Sequence, residues 1–189
     1  MAEPLSPIER TTLAGVAMAT AVFGAYGALA GEPSTLAYLA VIGAVGIVVA
    51  RLRTSPLPDV LVVSLGALAV AHLAGGLVRV GDDVLYNVSP GTSLLRYDHL
   101  VHSSAVLLGT LALREVFGRR TPLALLWLGG LGLGAVNETV EFLATLAHHG
   151  LHIGGYTNTG WDLVSNVVGA TAALVVLARR SAPAPELVG

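Results

Sequence analysis

The sequence predicts an all-α fold: a polytopic membrane bundle of about six transmembrane helices, with both termini in the cytoplasm. Composition is the first indication, because 54% of the 189 residues are hydrophobic and 12% are charged, whereas soluble domains average about 25% charged residues. The mean hydropathy is +0.75. The lengths of the apolar runs and the placement of the arginines are the other two indications.

The apolar residues fall into six runs that suit membrane helices, which need about 20 residues each, better than the strands of about 10 residues found in barrels. The second run is short and the fifth is long, which indicates tilt or extension beyond the bilayer. Because only short loops join the runs, we expect a single domain over residues 1–180 and a disordered, proline-rich tail over residues 181–189. The runs cover residues 12–30, 35–50, 59–78, 98–117, 122–147 and 161–178.

The arginines predict the orientation of the bundle. All ten positive charges are arginine, and only Arg79 and Arg96 fall on one side of the predicted bundle. Since Lys and Arg accumulate in cytoplasmic loops, the side with the other eight is expected to be cytoplasmic. Residues 28–30 have the form of a signal-peptidase site, but Glu3 and Glu9 before the apolar run argue against a signal peptide. The eight are Arg10, Arg51, Arg53, Arg114, Arg119, Arg120, Arg179 and Arg180.

Seven polar side chains interrupt four of the predicted helices. A charge at bilayer depth is unfavourable by several kcal/mol unless it is paired or hydrated, so such residues indicate a polar interior. On the fourth, fifth and sixth helices they occur in pairs spaced by three or four residues, which places each pair on one helix face. They are His72 on the third helix, Asp98 and His102 on the fourth, Glu138 and Glu141 on the fifth, and Asp162 and Asn166 on the sixth.

Counting along the helices places these side chains at a common height. At 1.5 Å per residue, Glu138 lies about 24 Å and His72 about 20 Å above the cytoplasmic starts of their helices. Asp98 and Asp162 begin helices that start at the outer side, where carboxylates also commonly act as helix caps. The glutamates lie well inside a helix and cannot be explained as caps. The sequence therefore predicts a shared polar pocket that opens to the outside.

The pocket has the side chains of a metal site. Imidazole and carboxylate together suit Zn, Mn or Fe, and the absence of cysteine excludes thiolate ligands. Glu138 and Glu141 are the candidate catalytic residues, as general bases. Asn166 is expected to support a ligand through a hydrogen bond, and a lone His72 is more often a hydrogen-bonded interior residue than a ligand. The candidate metal ligands are His72, Asp98, His102, Glu138, Glu141 and Asp162.

Blocks of sequence around these residues resemble the YjdF family of uncharacterised bacterial inner-membrane proteins. The blocks are HLAGG, LYNVSP, YDHLVH, REVFG, NETVEF and GWDLVSNVVGA, and they span about 110 residues from the third to the sixth helix. His99 stands where the family usually has Arg, so this chain would be a divergent member. A looser similarity to VanZ-like membrane proteins rests on Asp162, Asn166 and Gly169. The resemblance implies a plasma (inner) membrane location and no particular reaction.

Three classes of function remain open from the sequence. The first is a metal-dependent enzyme that hydrolyses or modifies a lipid or a lipid-linked envelope precursor. The second is a non-catalytic membrane scaffold whose polar cluster locks helix packing, and the third is a proton-linked transporter. Membrane lipid is the expected partner, whereas a net charge of −2 gives no reason to expect nucleic acid. The sequence predicts no particular oligomeric state.

Overall fold

The computed structural model describes residues 4–32, 34–52, 56–89, 91, 95–147 and 155–181. Over these residues the chain forms a bundle of α-helices, five of which are long and apolar enough to cross a membrane. The apolar part of the remaining helix, Thr35–Ala50, is shorter. The prediction of an all-α membrane bundle is thus confirmed. The helices are α1 Pro7–Ala30, α2 Thr35–Leu52, α3 Asp59–Leu77, α4 Tyr97–Phe117, α5 Leu123–Ala147 and α6 Tyr156–Ser181.

Helices α1 and α6 each begin five residues before the predicted apolar run, because a helix continues into polar residues at its start. At the start of α1, the Ser6 hydroxyl accepts from the Glu9 backbone N–H at 3.1 Å, and the Glu9 carboxylate accepts from the Ser6 N–H at 2.8 Å. This reciprocal pair satisfies two of the free N–H groups of the first turn. Helix α6 begins at Tyr156, before the predicted start at residue 161. Its polar first turn adds Asn158 to the helical part of the chain.

Helix α4 lies at the centre of the site because it packs against α3, α5 and α6. Helix α1 packs on α3, and α2 lies beside both of them. Helices α4 and α6 approach closely at Gly169, where an added Cβ would collide with the backbone carbonyl of Ser103. A glycine there lets the two backbones come into contact, which brings the first turns of α4 and α6 together. We call the end of the bundle where α3 ends and α4 begins the upper end.

A folded connection covers the upper end between α3 and α4. It contains a two-stranded antiparallel hairpin, β1 Arg79–Val80 and β2 Asp83–Val84, followed by the 3₁₀ helix Leu85–Asn87. Tyr86 is buried there and packs with Val84 and Val101. The sequence predicted only a loop for this segment, because each element is shorter than the pattern needed to recognise it.

The polarity of the bundle is the reverse of that of a soluble protein. Large apolar side chains such as Leu29, Leu36 and Val60 are among the most exposed, at 90%, 79% and 76%. Exposed apolar surface on this scale suits contact with lipid rather than water. Five acidic and imidazole side chains are buried together at the upper end of the bundle instead: Asp98, His99, His102, Glu138 and Asp162.

Candidate metal centre

His102 lies at the centre of a cluster formed by α4, α5 and α6. Its Nδ1 is 3.1 Å from Glu138 Oε1 on α5. Its Nε2 is 3.3 Å from Asp98 Oδ1, one turn earlier on α4, and 3.8 Å from Glu141 Oε1. Both ring nitrogens therefore face carboxylates, and carboxylates flank this imidazole on α4 and on α5.

Four residues of this cluster, His102, Glu138, Glu141 and Asp162, can each offer one ligand atom to a shared ion, and these atoms lie within 4.8 Å of one another. Atoms bound to one ion at about 2.1 Å can be at most roughly 4.2 Å apart. The widest pair would have to close by about 0.6 Å to reach that limit, and by about 1.4 Å for a tetrahedral site, in which such atoms are about 3.4 Å apart. The four side chains are thus a candidate ligand set that would close around an ion.

Asn158, on the first turn of α6, connects two of the carboxylates. Its Nδ2 donates to Asp162 Oδ2 at 2.6 Å and to Asp98 Oδ2 at 3.1 Å. Its Oδ1 accepts from Arg96 Nη1 at 3.0 Å. Since carboxylates only accept and guanidinium only donates, this arrangement fixes the orientation of the amide. Sequence reasoning missed Asn158 because it precedes the apolar run of α6.

Several buried polar atoms of the cluster have no hydrogen-bond partner among the described residues. They are both carboxylate oxygens of Glu138, Oδ1 of Asp162 and both amide atoms of Asn166. The exposed fractions of these residues are only 6%, 1% and 2%. Glu138 Oε1 lies within ion-pair distance of His102, but the geometry is not that of a hydrogen bond. Buried polar groups are nearly always paired, so these atoms point to a bound species that satisfies them.

The arrangement of charge leads to the same conclusion. Asp98, Glu138 and Asp162 are buried together, and Glu141 is partly exposed beside them. Even with both nearby imidazoles protonated, four ionised carboxylates would leave the cluster negative. Buried charges that are not compensated are strongly unfavourable. Protons or a cation must therefore balance the charge.

His99 joins the cluster although it lies about 100° from Asp98 around the axis of α4. Its Nδ1 accepts from the Arg96 backbone N–H at 3.2 Å, so the proton of the neutral ring resides on Nε2. That nitrogen faces Asp162 Oδ1 at 4.0 Å, which exceeds hydrogen-bond distance. The approach of α6 to the first turn of α4 brings Asp162 to His99, and the sequence of α4 carries no signal of this.

His72 lies among tyrosines rather than within the group of four. Its Nδ1 is 2.6 Å from the Tyr86 hydroxyl, and the Tyr38 ring packs edge-on against it at 5.1 Å. Burial, and then the charges of Tyr38, Asp98 and Glu141, raise the pKa of Tyr86 well above its usual value. The phenol therefore keeps its proton and can donate it to Nδ1. Nε2 of His72 is left buried without a hydrogen-bond partner among the described residues.

Asn166 and Gly134 form the floor of the cluster, one helical turn below Asp162 and Glu138 respectively. An added Cβ on Gly134 would lie 2.6 Å from Asn166 Nδ2. The glycine thus provides the space that the buried amide occupies. Asn137 closes the α5 side, where its Nδ2 donates to Glu141 Oε1 at 2.7 Å. His148, His149 and His152, a weaker candidate metal site by sequence, lie outside the described residues.

A family model described as a predicted membrane protein (DUF2238) matches residues 10–183 of the chain. The YjdF family, which the sequence blocks indicated, corresponds to this domain, so that prediction is confirmed. The similarity to VanZ-like proteins stays a resemblance. No curated protein and no solved structure matches the chain.

Proposed function

The chain belongs to the DUF2238 family of predicted membrane proteins, and we propose that it binds a divalent metal ion, Zn, Mn or Fe, between α4, α5 and α6. The ligands are His102, Glu138, Glu141 and Asp162, whose donor atoms lie within 4.8 Å of one another. The observation that carries the proposal is the set of buried oxygens, both of Glu138 and Oδ1 of Asp162, that have no hydrogen-bond partner among the described residues. Imidazole with carboxylates is the donor set that these metals prefer.

Neighbouring residues fit the role of orienting the ligands. A metal-bound histidine usually donates its second ring N–H to a carboxylate. Asp98 Oδ1, at 3.3 Å from His102 Nε2, is placed for this and leaves Nδ1 for the ion. In this proposal Asp98 holds His102, and Asn158 holds Asp98 and Asp162.

The proposed reaction is hydrolysis of an ester bond in a lipid or a lipid-linked envelope precursor. A metal in such a site lowers the pKa of bound water to near neutrality. With the ion bound, the carboxylate oxygen of Glu138 or Glu141 that does not bind it would take the proton of the attacking water, and the water oxygen would bond to the electrophilic centre. The bond to the alcohol oxygen would break, and the same glutamate would return the proton to the leaving alcohol. We place the site toward the outside of the plasma membrane, because the arginine distribution puts the upper end there.

Elemental analysis of the purified full-length protein tests metal binding. We expect about one Zn, Mn or Fe per chain, and at 100 times Kd the ion should add about 2.7 kcal/mol to the free energy of unfolding. Glu138→Gln should lose the ion. Glu115→Gln, which alters an exposed glutamate at the other end of α4, should keep it. Metal-free protein whose stability is unaffected by added ion or chelator would refute the proposal.

A non-catalytic scaffold is the second candidate, and the contacts between helices favour it. The ion pair between His102 and Glu138 joins α4 to α5. The hydrogen bond from Asn158 to Asp98 joins α6 to α4. For a scaffold, Glu138→Gln would destabilise the protein equally with and without metal. For a metal centre, most of the difference between variant and wild type would disappear when the ion is removed.

The orientation can be tested separately, because the chain has no native cysteine. Asp82→Cys, in the connection at the upper end, should react with a membrane-impermeant maleimide in intact cells. Arg120→Cys, at the opposite end, should react only after the membrane is permeabilised. The reverse pattern would place the cluster on the cytoplasmic side.

A further inference from the structure

A cavity of about 430 Å³ adjoins the metal cluster at the upper end of the bundle. Two of its lining residues, His99 and Asn158, also contact the carboxylates of the cluster. Arg96, Tyr156 and Trp161 line the rest together with small residues. The cavity thus reaches from the surface of the protein to the side chains that hold Asp98 and Asp162.

The polar groups of this cavity suit an anion. Arg96 uses one N–H, on Nη1, to bond Asn158 Oδ1, and no other hydrogen bond of its guanidinium is formed among the described residues. None of the described residues lining the cavity is acidic, since Asp98 and Asp162 lie behind Asn158. A planar guanidinium binds phosphate through two parallel hydrogen bonds. Arg96 is held in place because its own backbone N–H donates to His99 Nδ1.

The apolar part of the cavity suits a ligand at the membrane surface. Trp161 is 41% and Tyr156 97% exposed, and the Trp161 ring lies 6.0 Å from that of His99. Trp and Tyr concentrate at the level of lipid headgroups, where one side of the ring is apolar and the other is hydrated. A cation beside two aromatic rings at this level matches a phosphate group attached to a lipid.

We propose that this cavity binds a phosphate ester group, through Arg96, and presents it to the metal cluster. The inference rests on the proposed function and deepens it, because it assigns the substrate class as phosphate esters. A phosphate on Arg96 is next to Asn158, whose amide nitrogen bonds both aspartates. Only the Asn158 side chain would therefore separate the bound phosphate from the carboxylates of the metal cluster.

Binding of radiolabelled dihexanoyl phosphatidic acid to the full-length protein in maltoside detergent tests the inference. Arg96→Gln removes the charge but keeps a donor for Asn158, and should weaken binding about tenfold or more. Arg96→Lys keeps the charge without the bidentate geometry, and should weaken binding less. Arg79→Gln is the matched control, because Arg79 lies at the same end of the bundle but does not line the cavity. Its guanidinium pairs with Glu32 at 3.5 Å, and its side chain is 45% exposed.

Competition with unlabelled compounds identifies the source of the phosphate. If unlabelled phosphatidic acid displaces the labelled probe and inorganic phosphate does not, the ligand is a phospholipid. If inorganic phosphate displaces the probe equally well, the ligand is a soluble phosphate compound. Both results support the cavity as a phosphate site. Equal displacement by dihexanoylglycerol, which lacks phosphate, would overturn the inference. So would wild-type protein that does not bind, or Arg96→Gln protein that binds as well as wild type.

The two proposals can fail independently. Arg96-dependent binding to a protein that holds no metal would refute the metal centre and leave the phosphate site standing. Stoichiometric metal in a protein whose phosphatidic acid binding does not depend on Arg96 would refute the phosphate site alone.

Discussion

Replacing Asn158 by leucine removes the amide that bridges two buried carboxylates. Leucine is similar in size but forms no hydrogen bond, so Asp98 and Asp162 each lose a donor and Arg96 loses an acceptor. Asp162, only 1% exposed, would then have neither oxygen hydrogen-bonded among the described residues. We expect Asn158→Leu to be among the most destabilising polar substitutions in the bundle.

The magnitude follows from the bonds that Asn158 makes. Hydrogen bonds to charged groups contribute about 1.5–3 kcal/mol each in soluble proteins. Hydrogen bonds between membrane helices average about 0.6 kcal/mol, because the separated helices find other partners in the membrane. One bond, to Asp162, is within α6, and the other two join α6 to Asp98 and Arg96. We therefore expect a loss of about 2–4 kcal/mol in the free energy of unfolding.

Unfolding of the metal-free protein in mixtures of maltoside and SDS, followed by circular dichroism, measures this loss. Asn137→Leu is the control, because Asn137 also donates to a carboxylate one turn later, on Glu141, but within a single helix and at a partly exposed site. A pair of that kind contributes about 0.5 kcal/mol. Equal losses for the two variants would refute the argument that Asn158 joins α4 to α6.

Two further substitutions test the packing and the environment of His72. Gly169→Ala should lower the free energy of unfolding by about 1–3 kcal/mol, because the added methyl group meets the Ser103 carbonyl and pushes α4 away from α6. Gly15→Ala is the control: the space around Gly15 is open, so this variant should be as stable as wild type or more stable. An equal effect of the two alanines in the same unfolding assay would contradict the packing. Tyr86→Phe should cost about 1 kcal/mol by removing the hydrogen bond to His72. The sequence also predicts His72 as a metal ligand, outside the four proposed above. If His72 binds the ion, the same variant should lower metal affinity about tenfold in a chelator competition assay, since Tyr86 orients the ring; unchanged affinity would refute His72 as a ligand.

Much of the site could be predicted because membrane helices restrict where a polar residue can lie. His102, Glu138, Glu141 and Asp162 were predicted to share one height on three helices, and the structure brings them within 4.8 Å of one another. Spacing along a helix and rise per residue were sufficient for this. His99 was not among the predicted site residues, since it is displaced about 100° from Asp98 on the helical wheel. Its place beside Asp162 depends on a neighbouring helix, which a helical wheel does not include.

The sequence by itself determined the membrane bundle and the common level of the buried acidic residues along its helices. The physical reason is that spanning a lipid bilayer requires long apolar helices, and that charges inside it are unfavourable and therefore rare, so the few that occur indicate a polar interior. Only the tertiary structure decided which atoms meet: the Asn158 bridge between Asp98 and Asp162, the binding of His72 to Tyr86, and the cavity lined by Arg96. Those contacts depend on how closely helices approach and rotate against one another, which small residues such as Gly134 and Gly169 permit. That information is in the packing of pairs of helices and not in the periodicity of any single one.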